Sequence, residues 1–394
     1  MSGSRTKDNS VTWNQVAAFR LTRHHLVEKT SPQKLLSVVD DMAGAQAQLL
    51  SAAQSSLRSR IRGLELKHIE EALRKRTMVK AAGMRRTLFL FPSDQVGIFV
   101  SGSARRALRE YRWARGKGVS ERLLDTAIEA VLGVLNEPLT RPEIADRTSR
   151  ALGVQMRFAK GGGWGSQREL ASVPVGHLTY PVVDLLHLAG TRGIVCYGPS
   201  QGIEPTFVRA DAWIPNWKDI LPEEAEVLLF RKYLRAYGPA TVADFALWAG
   251  LTSREAHNIW AREQSGLATV NVDGWIGSVL REDVGRLLRS KVESPVVRLL
   301  PYFDTFLLGH RERIHLVAKE HYGNIYRPQG WISPVVLVDG RVAAVWGHTV
   351  ERDHLQVKVE KLGPLNQKIV AGIHEEVQDL ARFLGVSDFD VKIR

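Results

Sequence analysis

Residues 43–54, "AGAQAQLLSAAQ", place two glutamines, Gln46 and Gln48, around one alanine and behind a glycine. Glutamine is a poor acid and a poor base. Chemistry at this pair would have to run on the dipoles and hydrogen bonds of the amides. On residue type alone, amides near the start of a helix are ordinary surface. Gly44 is expected to end a helix over "SPQKLLSVVDDM". A new helix is expected from about Ala45 through Arg60, burying Leu49, Leu50, Ala53 and Leu57. In a regular first turn the two glutamines stand about 200° apart; in an extended turn they point the same way.

No other constellation offers a reaction. The twelve histidines include the adjacent His24 and His25, but no two share the Cys/His spacing of a zinc site. There is no HExxH, no P-loop and no GxGxxG after a strand. "AKGGGWGSQ" is rich in glycine but lacks the Lys-Ser/Thr of a phosphate loop. The single Cys196, inside "GIVCYG", reads as a small, buried, inert hydrophobe. It has no partner for an internal disulfide, which fits a reducing cytosol.

The remaining signal is basic and aromatic. The formal net charge of +12 favours a polyanion, most often nucleic acid. In "ARRALREYRWARGKG", residues 104–118, Arg105, Arg109 and Arg112 would share one helical face, widened by Arg106 and Arg115. Tyr111 and Trp113 interleave. Only Glu110 opposes these five arginines and Lys117 locally, an excess that phosphates would satisfy. "RFAKGGGWGSQRE" sets Arg157, Lys160 and Arg168 around Trp164, in a glycine loop able to approach a backbone closely.

These residues need elements to position them. Three segments share one grammar. Thr140 with Glu143, and Pro142 in the first turn, form a capping box in "EPLTRPEIADRTSRALG". Thr241 with Asp244 opens a short helix that Gly250 ends, and Thr252 with Glu255 opens the next: a helix-turn-helix. Apolar strand pairs follow, "GIVCYGPSQGIEPTFVRA" and "LATVNVDGWIGSVL". Helix-turn-helix followed by a hairpin is the pattern of a winged helix. A third such unit is expected at the N-terminus, where Thr12 and Gln15 cap the first helix and "MVKAAGMRRTLFLFP" supplies the strand pair. The C-terminal part alternates apolar and polar residues, with Asp339-Gly340 as a hairpin turn and a last helix over roughly 366–384. It reads as a small antiparallel sheet or barrel. No run approaches the length of a membrane span, and the polar N-terminus lacks a secretion signal.

Taken in order, "RLTRHHL", "GAQAQLLSAA", "MRRTLFL", "PATVADFALWAGL", "LLPYFDTFLLG" and "GWISPVVLVDGRVAAVW" resemble the AlkZ/YcaQ family of winged-helix DNA glycosylases, from about residue 12 to 385. The resemblance implies an α+β chain of three tandem winged-helix domains (1–120, 121–222 and 223–297) and a C-terminal antiparallel β-barrel with a terminal helix (298–394). Gln46-Ala47-Gln48 matches the Gln-x-Gln signature of the AlkZ branch; the sister branch has Asp at the second position. Two departures stand in "RRTLF", where Arg86 replaces a glycine and Phe89 a histidine.

The implied reaction suits amides. A purine alkylated at N7 or N3 is cationic and already a good leaving group. The enzyme must position a water and stabilise an oxocarbenium-like sugar. Gln48 would hold the water and Gln46 would orient water or sugar. Arg85, Arg86, Arg105, Arg106, Arg109, Arg112, Arg115, Lys160, Trp164 and Arg168 would hold the DNA. The expected substrate is double-stranded DNA with a bulky alkylated purine, interstrand crosslinks included. The expected protein is a cytoplasmic, nucleoid-associated monomer with no metal or organic cofactor. The rival reading is a non-catalytic winged-helix regulator, which leaves Gln46-x-Gln48 unexplained.

Overall fold

The computed structural model describes residues 9–163, 166–202, 204–215, 217–293 and 295–394, with the side chains at 106–108, 110, 113, 159–163 and 166–169 left undescribed. The chain is mixed α+β and forms two compact units: residues 1–70 with 229–394, and residues 71–228.

In the first unit, Thr12 starts the helix Trp13–Arg23. Its hydroxyl accepts from the Gln15 N–H at 3.2 Å, while the Gln15 amide oxygen accepts from the Thr12 N–H at 2.9 Å. The strand Ser10–Val11 before it runs parallel to Leu267–Val272. That strand turns through Asp273 and Gly274, both at positive φ, into antiparallel Trp275–Leu280. The helices Val242–Ala249 and Ser253–Arg262 carry the expected Thr241/Asp244 and Thr252/Glu255 boxes, and Gly250 turns left-handed between them (φ 73°). Val11, Val16, Phe19, Val270, Val272, Val279 and Leu287 make a common core.

The same unit holds a five-stranded sheet, in the order Val297–Leu300, Val335–Val338, Arg341–Glu351, His354–Lys361, Asp388–Ile393. Asp339-Gly340 forms the expected tight turn at φ 51° and 83°. One expectation fails. The last strand pairs parallel to its neighbour, so the sheet is not purely antiparallel. A parallel return needs a long crossover, and the helix Gln367–Leu384 supplies it. Ile373, Val377 and Leu380 of this helix pack on Ala344, Trp346, Leu355, Val357 and Val359. Among the described residues no ladder joins Asp388–Ile393 to Val297–Leu300.

In the second unit the strands Met78–Ala82 and Leu88–Pro92 pair antiparallel. Gly83 between them has no substitute: a Cβ there would lie 2.8–2.9 Å from the rings of Phe91 and Phe89. The helices Glu121–Val134, Arg141–Ala151 and Val182–Thr191 share a core with Val173, Val175, Val195 and Phe207. The Thr140/Glu143 box forms as expected. Of the segment read above as a glycine loop, the described residues 157–163 and 166–169 lie in two paired strands, Arg157–Gly163 and Ser166–Val175. Glycine weakens a strand but does not forbid one, and ladder hydrogen bonds run its length. No helix among the described residues is long and apolar enough to cross a membrane.

Candidate active site

The Gln-x-Gln segment is not helical. The helix Leu35–Asp41 stops at Met42, where the Ala43 N–H donates to the Asp40 carbonyl and the Gly44 N–H to the Val39 carbonyl, both at 2.9 Å. This is a Schellman closure, with Ala43 rather than glycine in the left-handed position (φ 55°). A Cβ in that region costs roughly 1–2 kcal/mol. The closure also turns the chain out of helical geometry before the motif. Ala45–Gln46 is strand, and the next helix, Leu50–Arg58, begins only after Leu49 (φ −107°, ψ 116°). The expected helix start at Ala45 is therefore wrong by five residues, and Leu49 is exposed rather than buried.

Extended backbone alternates its side chains. Ala45 and Ala47 are wholly buried, Gln46 lies in the short strand between them, and Gln48 stands in the bend that follows. Gln46 is 6% exposed, and its amide oxygen accepts weakly from the Gln48 N–H at 3.4 Å. The half-buried Gln48 side chain makes no hydrogen bond among the described residues. One amide is thus held by the local backbone, and the other is open to a ligand.

Both flanks of the motif are fixed. Upstream, the Tyr237 hydroxyl donates to the Met42 carbonyl at 3.2 Å. Downstream, Arg60 grips Asp304 with two hydrogen bonds of 2.8 and 2.7 Å, and Ser56 donates to the same carboxylate at 2.7 Å. Burial pushes the Asp304 carboxyl up, but the Arg60 guanidinium and the hydrogen bonds win and hold it below the usual range. Asp304 is 1% exposed, so this carboxylate is an anchor and not a base. Arg58 reaches Glu376 at 3.2 Å and Asp379 at 3.3 Å, and Ser59 donates to the Leu299 carbonyl at 2.8 Å. Sequence reasoning missed all of these. The available signal was charge in apolar company: Asp304 in "YFDTF", Arg58 and Arg60 in "SLRSRI".

His24 is fully buried, with its ring 5.1 Å from that of Tyr237 and 5.2 Å from that of Phe306. Neither ring nitrogen has a hydrogen bond of good geometry. Burial first, and the nearby Arg60 charge second, push its pKa down to about 3. Cys196 is buried, and burial pushes its thiol up to about 12, which makes it inert as expected. No group of three or more His, Cys, Asp or Glu among the described residues could hold a metal ion.

The expected DNA-contact arginines lie in the second unit. Arg85 and Arg86 sit in the turn after Met78–Ala82, both with positive φ (54° and 62°). Arg86 Nε donates to His187 Nε2 at 2.9 Å. Its left-handed backbone is one that glycine adopts freely, so the glycine expected here from the resemblance would also fit. Phe89, the other departure, is buried and stacked on Phe91, so an apolar ring fits there. Residues 104–116 are helical as expected. The positive charge is less bare than the local sequence suggested. Arg105 is paired with the buried Glu226, and Arg115 lies 3.8 Å from Glu121. Glu226 lies 121 residues from Arg105, which a local reading cannot see, while Glu121 stands just past the basic segment. Arg112, Arg115 and Arg192 line a cavity of about 560 Å³ with Tyr111, Glu121 and Asp125. Burial, then a hydrogen bond with Asp125, pushes the Tyr111 hydroxyl up to about 12. Arg109 lies on the same helix. The side chains of Arg106, Lys160 and Arg168, and all of Trp164, lie outside the described residues.

Comparison with known proteins bears on this arrangement. The profile of the family described as "DNA glycosylase AlkZ-like" matches residues 39–383. The chain is 31% identical over 393 residues to the interstrand DNA cross-link repair glycosylase of Streptomyces sahachiroi, covering 97% of this chain and 99% of that protein. Its structure resembles that of the Streptomyces sahachiroi DNA glycosylase AlkZ, with a TM-score of 0.80 and 28% identity, covering 98% of this chain and all of the other.

Proposed function

The chain belongs to the AlkZ-like DNA glycosylase family, and on that premise we propose that Gln46 and Gln48 hydrolyse the N-glycosidic bond of bulky N7- or N3-alkylated purines in duplex DNA. The observation that carries the assignment is the half-buried amide of Gln48, without a side-chain hydrogen bond among the described residues, in a segment fixed on both flanks. Its carbonyl oxygen holds a water and turns the water's lone pair toward C1′. Its dipole faces the cation that develops on the sugar as the base departs with its bonding electrons. The water's proton leaves to solvent, since an amide does not take it. Gln46, held by the Gln48 backbone, sets the orientation of the pair. The cationic purine needs little acid help, which is why a site without a carboxylate suffices.

Interstrand crosslinks are the substrate named for the Streptomyces sahachiroi relative, and we carry that class over to this chain. The capped helix pairs followed by hairpins, at Val242–Leu280 and again in 121–222, support winged-helix units over 223–297 and 121–222; the third, over 1–120, and the last sheet over 298–394 rest on the resemblance. Arg85, Arg86, Arg109, Arg112 and Arg115 hold phosphates, and Arg105 does so in competition with Glu226. The protein acts as a cytoplasmic monomer and needs no cofactor, so excision proceeds in EDTA. The test is single-turnover release of N7-alkylguanine from duplex DNA, followed by an assay for abasic sites. Gln48→Ala lowers that rate by about 30- to 1000-fold, on the order of 2–4 kcal/mol, with little change in DNA affinity. A folded Gln48→Ala protein with the full rate would show that the amides are idle.

A further inference from the structure

The five-stranded sheet has two faces. The helix Gln367–Leu384 covers one of them. The other, around Gly347, opens into a cavity of about 480 Å³ walled by Tyr302, Asn324 and Arg327. From this cavity we infer a second nucleic-acid site, one that holds an unpaired nucleotide by its base and phosphate. The inference rests on the reading of the chain as an enzyme of DNA, and it concerns residues with no part in the chemistry at Gln48.

Four observations carry it. Gly347 lies in the middle of the strand Arg341–Glu351, directly opposite Lys358. A Cβ built on Gly347 meets nothing within 4 Å, so the floor of the cavity is bare backbone. A glycine inside a strand weakens it, and such positions mark a close approach by a ligand. Second, Tyr302 is 39% exposed, with its ring held edge-on against Trp331 at 5.7 Å. A pinned, exposed ring is a platform for a base. Third, the side chains of Arg327 and Lys358 make no ion pair or hydrogen bond among the described residues. Two uncommitted cations facing one cavity suit a phosphate. Fourth, the Asn324 amide, also without a partner, offers a donor and an acceptor to a base edge. Glu360 adds a single carboxylate, which leaves the cavity positive and can accept from an exocyclic amine. Ring, amide and two cations around a bare floor fit a nucleotide better than a peptide or a sugar, neither of which uses all three.

The experiment is a titration of the whole chain, labelled with ¹⁵N at the tryptophan indoles, with d(T)6 and separately with thymidine monophosphate. Trp346 is one of the residues lining the cavity, next to Gly347, and its indole donates to the Leu300 carbonyl at 2.9 Å, so a shift of its signal reports occupancy. Both probes are expected to shift that signal. Tighter binding of d(T)6 assigns the nucleotide to a DNA strand; equal binding assigns it to a free nucleotide. Gly347→Val should fill the open floor in a backbone conformation that valine favours, and should weaken binding by about tenfold or more. Arg327→Glu should do the same by charge, which guards against a folding effect of the valine. An unmoved Trp346 signal, or unchanged affinity in both variants, overturns the proposal. Excision of a bulky N7-alkylguanine by the unaltered chain is followed in parallel. Its absence would sink the glycosylase reading alone, since the titration decides the cavity by itself.

Discussion

Acidification from pH 7.5 to 5 should destabilise this protein through three histidines, well before its carboxylates titrate. In the first unit His24 and His310 are buried and His315 is half-buried. Burial is the main cause of all three shifts: His24 falls to about 3, His315 to about 2 and His310 well below its usual value. Nearby arginines add to the effect, Arg60 at His24 and Arg20 at the other two. The folded state therefore stays unprotonated where the unfolded chain, near 6.5, takes up a proton. Such depressed groups stabilise fully above pH 6.5 and lose that contribution as pH falls toward the folded values. Between pH 6.5 and 5 His24 and His315 each forfeit about 1.5 units at 1.36 kcal/mol, or about 2 kcal/mol, the two together about 4 kcal/mol, and His310 adds in the same direction. The exposed His354 acts oppositely, because hydrogen bonds with Asp388 and Asp390 raise it. Asp304 and Glu376, both held low, act below this window. The assay is urea denaturation at a series of pH values, for the natural chain and for His24→Phe. Phenylalanine puts an apolar ring between Tyr237 and Phe306 and removes two buried nitrogens that lack good partners. Whatever its packing cost at pH 7.5, the variant should gain about 2 kcal/mol on the natural chain by pH 5. Parallel stability–pH curves for the two proteins would refute the reasoning.

Gln48→Asp should retain measurable excision, because a carboxylate also holds a water and faces a cation, although its shorter stem moves the oxygen by roughly one bond. Gln46→Ala should lose less rate than Gln48→Ala; the reverse order in single-turnover assays would move the water to Gln46. Asp304→Ala leaves the Arg60 charge buried and unpaired, so it should cost about 3–5 kcal/mol in urea denaturation, and a loss below 1 kcal/mol would show that the clamp is slack. Arg109→Glu with Arg112→Glu should flatten the salt dependence of binding to undamaged DNA by about one unit per lost phosphate contact. An unchanged slope would mean a face that is only solvated. Residues 35–66 contain no lysine, so no covalent enzyme–DNA adduct should be trapped by borohydride during excision. A trapped adduct would establish a lyase step instead.

What the sequence disclosed depended on how far each determinant reaches along the chain. The capping boxes at Thr12, Thr140, Thr241 and Thr252 act over three residues, and all four form. The Asp339-Gly340 turn is equally local. The motif was misplaced because Leu49, Leu50, Ala53 and Leu57 continue a helical period back over Gln46. The Ala43 closure that cancels it uses a residue with no left-handed signature. The alternation Ala-Gln-Ala-Gln was itself a period-two signal, as was "DFDVKI" in the last strand. Each was too short to outweigh its helical neighbour. Glu226, the partner of Arg105, lies 121 residues away, beyond any local pattern.

The anchors of the helix Leu50–Arg58 also set an order of events during synthesis. Arg60 leaves the ribosome 244 residues before Asp304, and Arg58 precedes Glu376 by 318. At about 5–20 residues per second, Arg60 waits roughly 12 to 50 s for its counter-charge. Residues 71–228, a compact unit with its own core, are made entirely within that interval. The segment that carries the glutamines is thus translated long before both of its anchors exist. If the arginines of 71–228 hold DNA and the amides act as proposed, a nascent or truncated chain would bind DNA before it could cut a base from it.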